Sequence, residues 1–89
     1  MSAVPVVMYS TSFCGYCVRA RGLLERKGVA VHEVKVDEDA RERQLMIEKS
    51  GGRRTVPQIF IGERHVGGYD DLAALDRSGE LDQLLVSTT

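Results

Sequence analysis

The stretch from Val4 to Val36 constrains the fold most. It reads as an apolar β-rich run (VPVVMY, Val4 to Tyr9), a helical run from Cys14 to Lys27 with no proline, and a second valine-rich run (VAVHEVKV, Val29 to Val36). Pro5 is tolerable at a strand start, Gly15 and Gly22 weaken the helix only locally, and Gly28 is the residue type preferred just past a helix end. Two strands joined through a helix pair in parallel by a right-handed crossover. The second run changes phase between Val31 and Val34, which predicts a β-bulge. Beyond it, DEDARERQLMIEKSGG starts with acids and ends with Lys49 and two glycines, as a helix should. VPQIFIGERHVGG reads as an antiparallel hairpin, and YDDLAALDRSGELDQLL as a helix broken at Gly79. The order is β-α-β-α-β-β-α, an α/β fold with a four-stranded mixed sheet and helices on both faces. Val6, Met8, Leu23, Leu24, Val34, Val36, Leu45, Ile47, Ile59, Ile61, Leu72, Leu75, Leu81 and Leu84 are the expected core.

Cys14 and Cys17 stand where the first strand ends and the first helix begins. The 89 residues suffice for one domain, residues 1–89, and the net charge of −1 with interspersed signs excludes the basic field that nucleic acid or a membrane surface would require. The N-terminus lacks the charged and apolar regions of a signal peptide, and no run approaches a membrane span, so the expected location is cytoplasmic. There a structural disulfide is disfavoured, leaving metal binding or catalysis for the pair. A structural zinc site needs four ligands. Cys14 and Cys17 supply two, and His32 and His65, on different strands, are read as a surface side chain and a turn-flanking residue.

Electron exchange has the stronger physical case. A thiol at the helix start sits over unpaired backbone N–H groups and the positive end of the helix dipole, which favour its thiolate. Cys14 is therefore the nucleophile. Cys17 lies one turn on, along the stripe of Ala20, Leu23 and Leu24, within disulfide range and facing inward, and so is the resolving thiol. A stabilised thiolate gains little as an attacking group, because nucleophilicity falls with basicity; its advantage is as a leaving group.

The combination of CGYC after the first strand, TVPQIF (Thr55 to Phe60) and GGYDDL (Gly67 to Leu72) resembles the glutaredoxins over essentially the whole chain. The resemblance implies a thioredoxin-like fold and glutathione-dependent reduction of disulfides, with glutathionylated and disulfide-bonded proteins as partners and a monomeric state. It also implies a cis Val56-Pro57 bond, with Thr55, Val56 and Pro57 framing the glutathione site. The backbone N–H and C=O of Val56 would then pair with an extended cysteinyl peptide as an added strand. Gly67 and Gly68 permit close backbone approach, and the N–H groups of Tyr69 and Asp70 make an anion site at a helix N-terminus, suited to the γ-glutamyl carboxylate. By resemblance Asp70 helps to hold that γ-glutamyl end. Tyr16, between the cysteines, is expected to be exposed and to flank glutathione.

Three departures from the family pattern stand out. Thr11 replaces a frequent lysine three residues before the first cysteine, so Gln44, or Arg41 or Arg43, is left to meet the glycyl carboxylate. Arg53 and Arg54 add positive potential nearby, although solvated surface is the expected place for these arginines. The SGGRRTVP connection looks one residue longer than in common members, and Gly15 replaces the usual proline. Glycine there leaves room beside Cys14, which motivates the alternative function: a dimer holding a [2Fe-2S] cluster through two Cys14 thiolates and two glutathiones. A redoxin served by a flavin reductase is a further rival, and the GGYDD anion site argues against it.

Overall fold

The computed structural model describes residues 4–86. Eight elements follow in chain order: β1 (Val6–Ser10), α1 (Gly15–Arg26), β2 (Val31–Lys35), α2 (Ala40–Lys49), β3 (Gln58–Ile61), β4 (Arg64–Gly67), α3 (Tyr69–Ser78) and α4 (Glu80–Leu85). The strands form one sheet in the order β2-β1-β3-β4. β1 pairs in parallel with β2 and antiparallel with β3, and β3 with β4 closes the hairpin, giving the mixed sheet that the sequence pattern requires. The terminal helical run divides at Gly79, whose φ of 85° places it in the left-handed region, so the described residues form four helices.

Both faces of the sheet are packed, and strand alternation distributes the side chains between them. Val6 and Met8 of β1 and Ile59 and Ile61 of β3 join Cys17, Ala20, Leu23 and Leu24 of α1, Leu72 of α3, and Leu81 and Leu85 of α4 in the larger cluster. Tyr9 and Phe60, pointing the other way, join Val36 and the α2 residues Met46 and Ile47 in the smaller one.

Two expectations are corrected. The register of β2 against β1 is unbroken from Val31 to Lys35, so the phase change is no bulge. Val31 packs on one cluster and Val34 and Val36 on the other, a change of face that a doubly covered strand permits. The irregularity falls instead in the β3–β4 hairpin, between Ile59 and Phe60. Leu45 is 38% exposed and lies outside the core. The face of α2 turned to the sheet carries Met46 and Ile47, with the buried C-cap Ser50 one turn further on, and Leu45 falls beside it.

Arg21 fastens α1 to the edge of the sheet, donating through Nε and Nη2 to the two carboxylate oxygens of Glu33, each at 2.8 Å. The Ser10 hydroxyl donates to the same carboxylate, so α1, β1 and β2 meet there. The Arg21 hydrogen bonds hold the Glu33 carboxyl below its ordinary value against the opposing effect of burial. A depressed carboxylate stabilises the fold above the unfolded-state value, and that contribution is lost as pH falls through the folded one. Glu33→Gln should therefore lower the unfolding free energy at neutral pH by about 1–2 kcal/mol. In urea titrations the gap between the two proteins should close as the medium is acidified through the range where Glu33 protonates.

Candidate active site

The end of β1 and the start of α1 build the reactive centre. After Ser10 the chain turns out of the sheet, and the Ser12 backbone N–H donates to Asp37 Oδ2 at 3.0 Å, tying the turn to the segment after β2. Cys14 is the N-cap of α1, with extended backbone angles, and its Sγ accepts the Cys17 N–H at 3.1 Å. A sulfur thus takes the place usually held by a serine or aspartate oxygen, facing the free N–H groups of the first turn. That turn contains no acidic residue to oppose negative charge on the sulfur. Cys14 and Cys17 form a disulfide, their Cα atoms 5.2 Å apart. Cys17 is only 1% exposed and belongs to the core, whereas Cys14 is half-buried at its margin. A Cβ at Gly15 would meet nothing within 4 Å, so the flank of Cys14 is open.

Beside this helix start lies a groove of about 400 Å³. One wall is the segment Thr55, Val56 and Pro57, whose Val56-Pro57 bond is cis; the other is the first turn of α3, from Gly68 to Asp71. Tyr16 and Arg53 complete the lining. Ser50 positions the Arg53 segment from α2: its buried Oγ accepts the Arg53 N–H at 3.1 Å and lies 3.1 Å from the Arg53 carbonyl. The Asp71 carboxylate accepts the Gly68 N–H at 3.0 Å and stands 3.6 Å from Arg53 Nη1. With Gly68 capped in this way, the Tyr69 and Asp70 N–H groups of the first turn have no partner within the helix, and both residues line the groove. The Tyr16 and Tyr69 rings lie 6.2 Å apart, and the Arg19 guanidinium sits 5.6 Å from the Tyr16 ring centre.

A family model described as Glutaredoxin matches residues 6–66, which contain the cysteine pair, the Thr55–Pro57 wall and β4 as far as Val66. The chain belongs to the glutaredoxin family. It is 54% identical over 81 residues to a glutaredoxin of Pseudomonas aeruginosa, covering 91% of this chain and 95% of the relative. Among solved structures, a glutaredoxin from Brucella melitensis superposes with a TM-score of 0.83 at 49% identity, covering 96% of this chain and 91% of the other. A buckwheat glutaredoxin–glutathione complex superposes with a TM-score of 0.83 at 32% identity, covering 92% and 76%. The fold is the thioredoxin-like one, and the CxxC pair makes this glutaredoxin a thiol–disulfide oxidoreductase. No helix among the described residues is long and apolar enough to cross a membrane.

The residues expected from sequence mostly converge. Tyr16, Thr55, Val56, Pro57, Gly68, Tyr69 and Asp70 all line the groove. Gln44 does not: it is exposed on α2 and donates to Glu48 Oε2 at 3.2 Å. Arg53 is solvated, as expected of the arginines, and from that exposed position lines the groove and adds positive charge to it; Asp71 lines it as well and is not among the expected site residues. Its carboxylate supplies half of a capping box by taking the Gly68 N–H, and because Gly68 has no side chain to supply the other half, the sequence carries no full capping-box signal. His65 is half-buried rather than simply flanking a turn, and burial together with the Arg53 charge holds its imidazolium below the ordinary value, partly opposed by Asp71. Among the described residues no group of three or more His, Cys, Asp and Glu is placed to hold a metal ion.

Gly67 is required by its surroundings. Its φ is 117°, and a Cβ there would lie 2.9 Å from Asp71 Cγ and 3.1 Å from Arg53 Nη1. Gly67→Ala should displace Asp71 from the Gly68 N–H and lower the unfolding free energy by about 2 kcal/mol. Urea denaturation measures this, and Asp71→Ala, which removes the cap and the exposed Arg53 pair without straining the backbone, should cost about half as much.

Proposed function

We propose that this glutaredoxin uses glutathione to reduce protein–glutathione mixed disulfides and protein disulfides, with Cys14 as nucleophile and Cys17 as resolving thiol. The observation that carries the reading is a half-buried cysteine at a helix start whose first turn, through Tyr16, lines a groove shared with the Thr55–Pro57 wall and a second helix start at Tyr69. Glutathione offers a thiol flanked by an extended peptide and a carboxylate at each end. Its cysteinyl backbone fits the Val56 N–H and C=O as an added strand. Its γ-glutamyl carboxylate fits the Tyr69 and Asp70 N–H groups, with the Asp70 side chain meeting the amine. Arg53 supplies positive charge along the same groove, and the Tyr16 ring flanks it. Gln44 is assigned to the glycyl carboxylate by family resemblance, for which it would exchange its bond to Glu48. The buckwheat relative, solved as a glutathione complex, supports this choice of ligand.

In the proposed cycle the Cys14 thiolate attacks the glutathione sulfur of a mixed disulfide. The Cys14–glutathione bond forms as the substrate's disulfide breaks, and the protein thiolate leaves. A second glutathione thiolate attacks this intermediate, releasing glutathione disulfide and restoring the Cys14 thiolate. With a protein disulfide, Cys14 forms a mixed disulfide with the substrate and one substrate thiolate departs. Cys17, deprotonated, attacks Cys14 and expels the other, leaving the Cys14–Cys17 disulfide. The helix start that stabilises the Cys14 thiolate makes it a good leaving group at each turnover.

Cys14→Ser should abolish transfer with both substrate types. Cys17→Ser should keep deglutathionylation and lose most reduction of protein disulfides. Assays of both variants on a glutathionylated protein and on a disulfide-bonded one distinguish the roles, and an active Cys14→Ser protein would reverse the assignment.

A further inference from the structure

Gln58 and His65 lie behind the groove and play no part in the chemistry above. Gln58 is the second residue after Val56 and is completely buried. A buried amide must place both its donors and its acceptor. Its Nε2 donates to the Thr55 carbonyl at 3.0 Å and lies 3.3 Å from the Thr55 hydroxyl. Since a carbonyl only accepts, this fixes the amide orientation and turns Oε1 away from Thr55. Oε1 then stands 2.7 Å from His65 Nε2. Because Oε1 only accepts, His65 Nε2 must carry a proton, and the histidine is the donor that completes the amide.

The sheet geometry explains why a histidine reaches this point. Gln58 and Phe60 are two apart on β3 and share a face. His65 is the register partner of Phe60, and its ring stacks on the phenyl ring at 4.9 Å with planes 30° apart. The register irregularity follows at once: Ile59 pairs with Gly67, leaving Val66 as the extra residue. Such a bulge re-aims side chains, and here His65, braced on Phe60, meets the Gln58 amide. The chain of bonds runs from β4 through β3 to Thr55, the first residue of the groove wall.

We propose that His65 is a positioning residue: acting through Gln58, it holds Thr55 and thereby sets the wall on which Val56 receives the cysteinyl backbone. The proposal rests on the glutathione reading above. Leucine at position 65 would fill the space on Phe60 but leave Gln58 Oε1 buried without a donor, freeing the amide to rotate away from Thr55. Glutamine would keep both a donor and the length of the side chain.

Steady-state kinetics with varied glutathione and a fixed glutathionylated protein test this on the full chain. His65→Leu should raise the glutathione KM about tenfold, the effect of losing one well-made hydrogen bond, with kcat changed by less than about twofold. His65→Gln should return KM to within about threefold of the starting protein. A merely structural histidine would change the melting temperature and leave KM where it was, so an unaltered KM in folded His65→Leu overturns the proposal. If His65→Leu does not fold, Gln58→Met, which removes both bonds to Thr55 at similar volume, must show the same rise in KM, and an unaltered value there is equally fatal. Absence of any glutathione dependence in the unsubstituted protein is a separate outcome: it overturns the glutathione reading, and this proposal with it.

Discussion

The parallel pairing of β1 with β2 is the constraint from which the site follows. Two parallel neighbours need a crossover, and α1 is that crossover, so its N-terminus must lie just beyond the carboxyl end of β1. β1 is an inner strand with partners on both sides. Its exit therefore opens on the middle of the sheet, beside the segment entering β3. A cysteine at this exit becomes the cap of α1, and a cysteine three residues later is drawn under the helix into the core. One fold decision thus produces two unlike thiols from a symmetric-looking pair.

The groove depends on a second convergence, between segments far apart in the chain. The Thr55–Pro57 wall enters β3, and the Gly68–Asp71 turn leaves β4, so the hairpin brings them together from the same end. Arg53 is held beside them by Ser50 at the end of α2, and Asp71 by the Gly68 N–H. The groove therefore brings together backbone groups of the Thr55–Pro57 wall and of a helix start, one arginine, two aspartates and two tyrosine rings.

Much of this was legible in the sequence because the signals were local. Apolar periodicity gave the strand and helix order, the CGYC position gave the cap, and the GGYDD run gave the second helix start. What escaped depended on partners distant in sequence or on competing faces. The phase change at Val34 looks like a bulge until both faces of β2 are known to be covered. Leu45 and Met46 are equally apolar, and only the angle of α2 to the sheet buries one and exposes the other. Arg53 is the surface residue its sequence suggests, but nothing local announces the Ser50 bonds that hold its segment beside the groove. His65 reads as a turn flank because its partners, Gln58 and Phe60, lie across the hairpin.

The central claim is that folding makes Cys14 the accessible, reactive thiol and shields Cys17. Limited alkylation of the fully reduced protein with iodoacetamide, followed by peptide mapping, addresses it directly. The account predicts an adduct on Cys14 alone in the folded protein, with Cys17 modified only after denaturant is added. Modification of Cys17 in the folded protein at a rate comparable to Cys14 would contradict it.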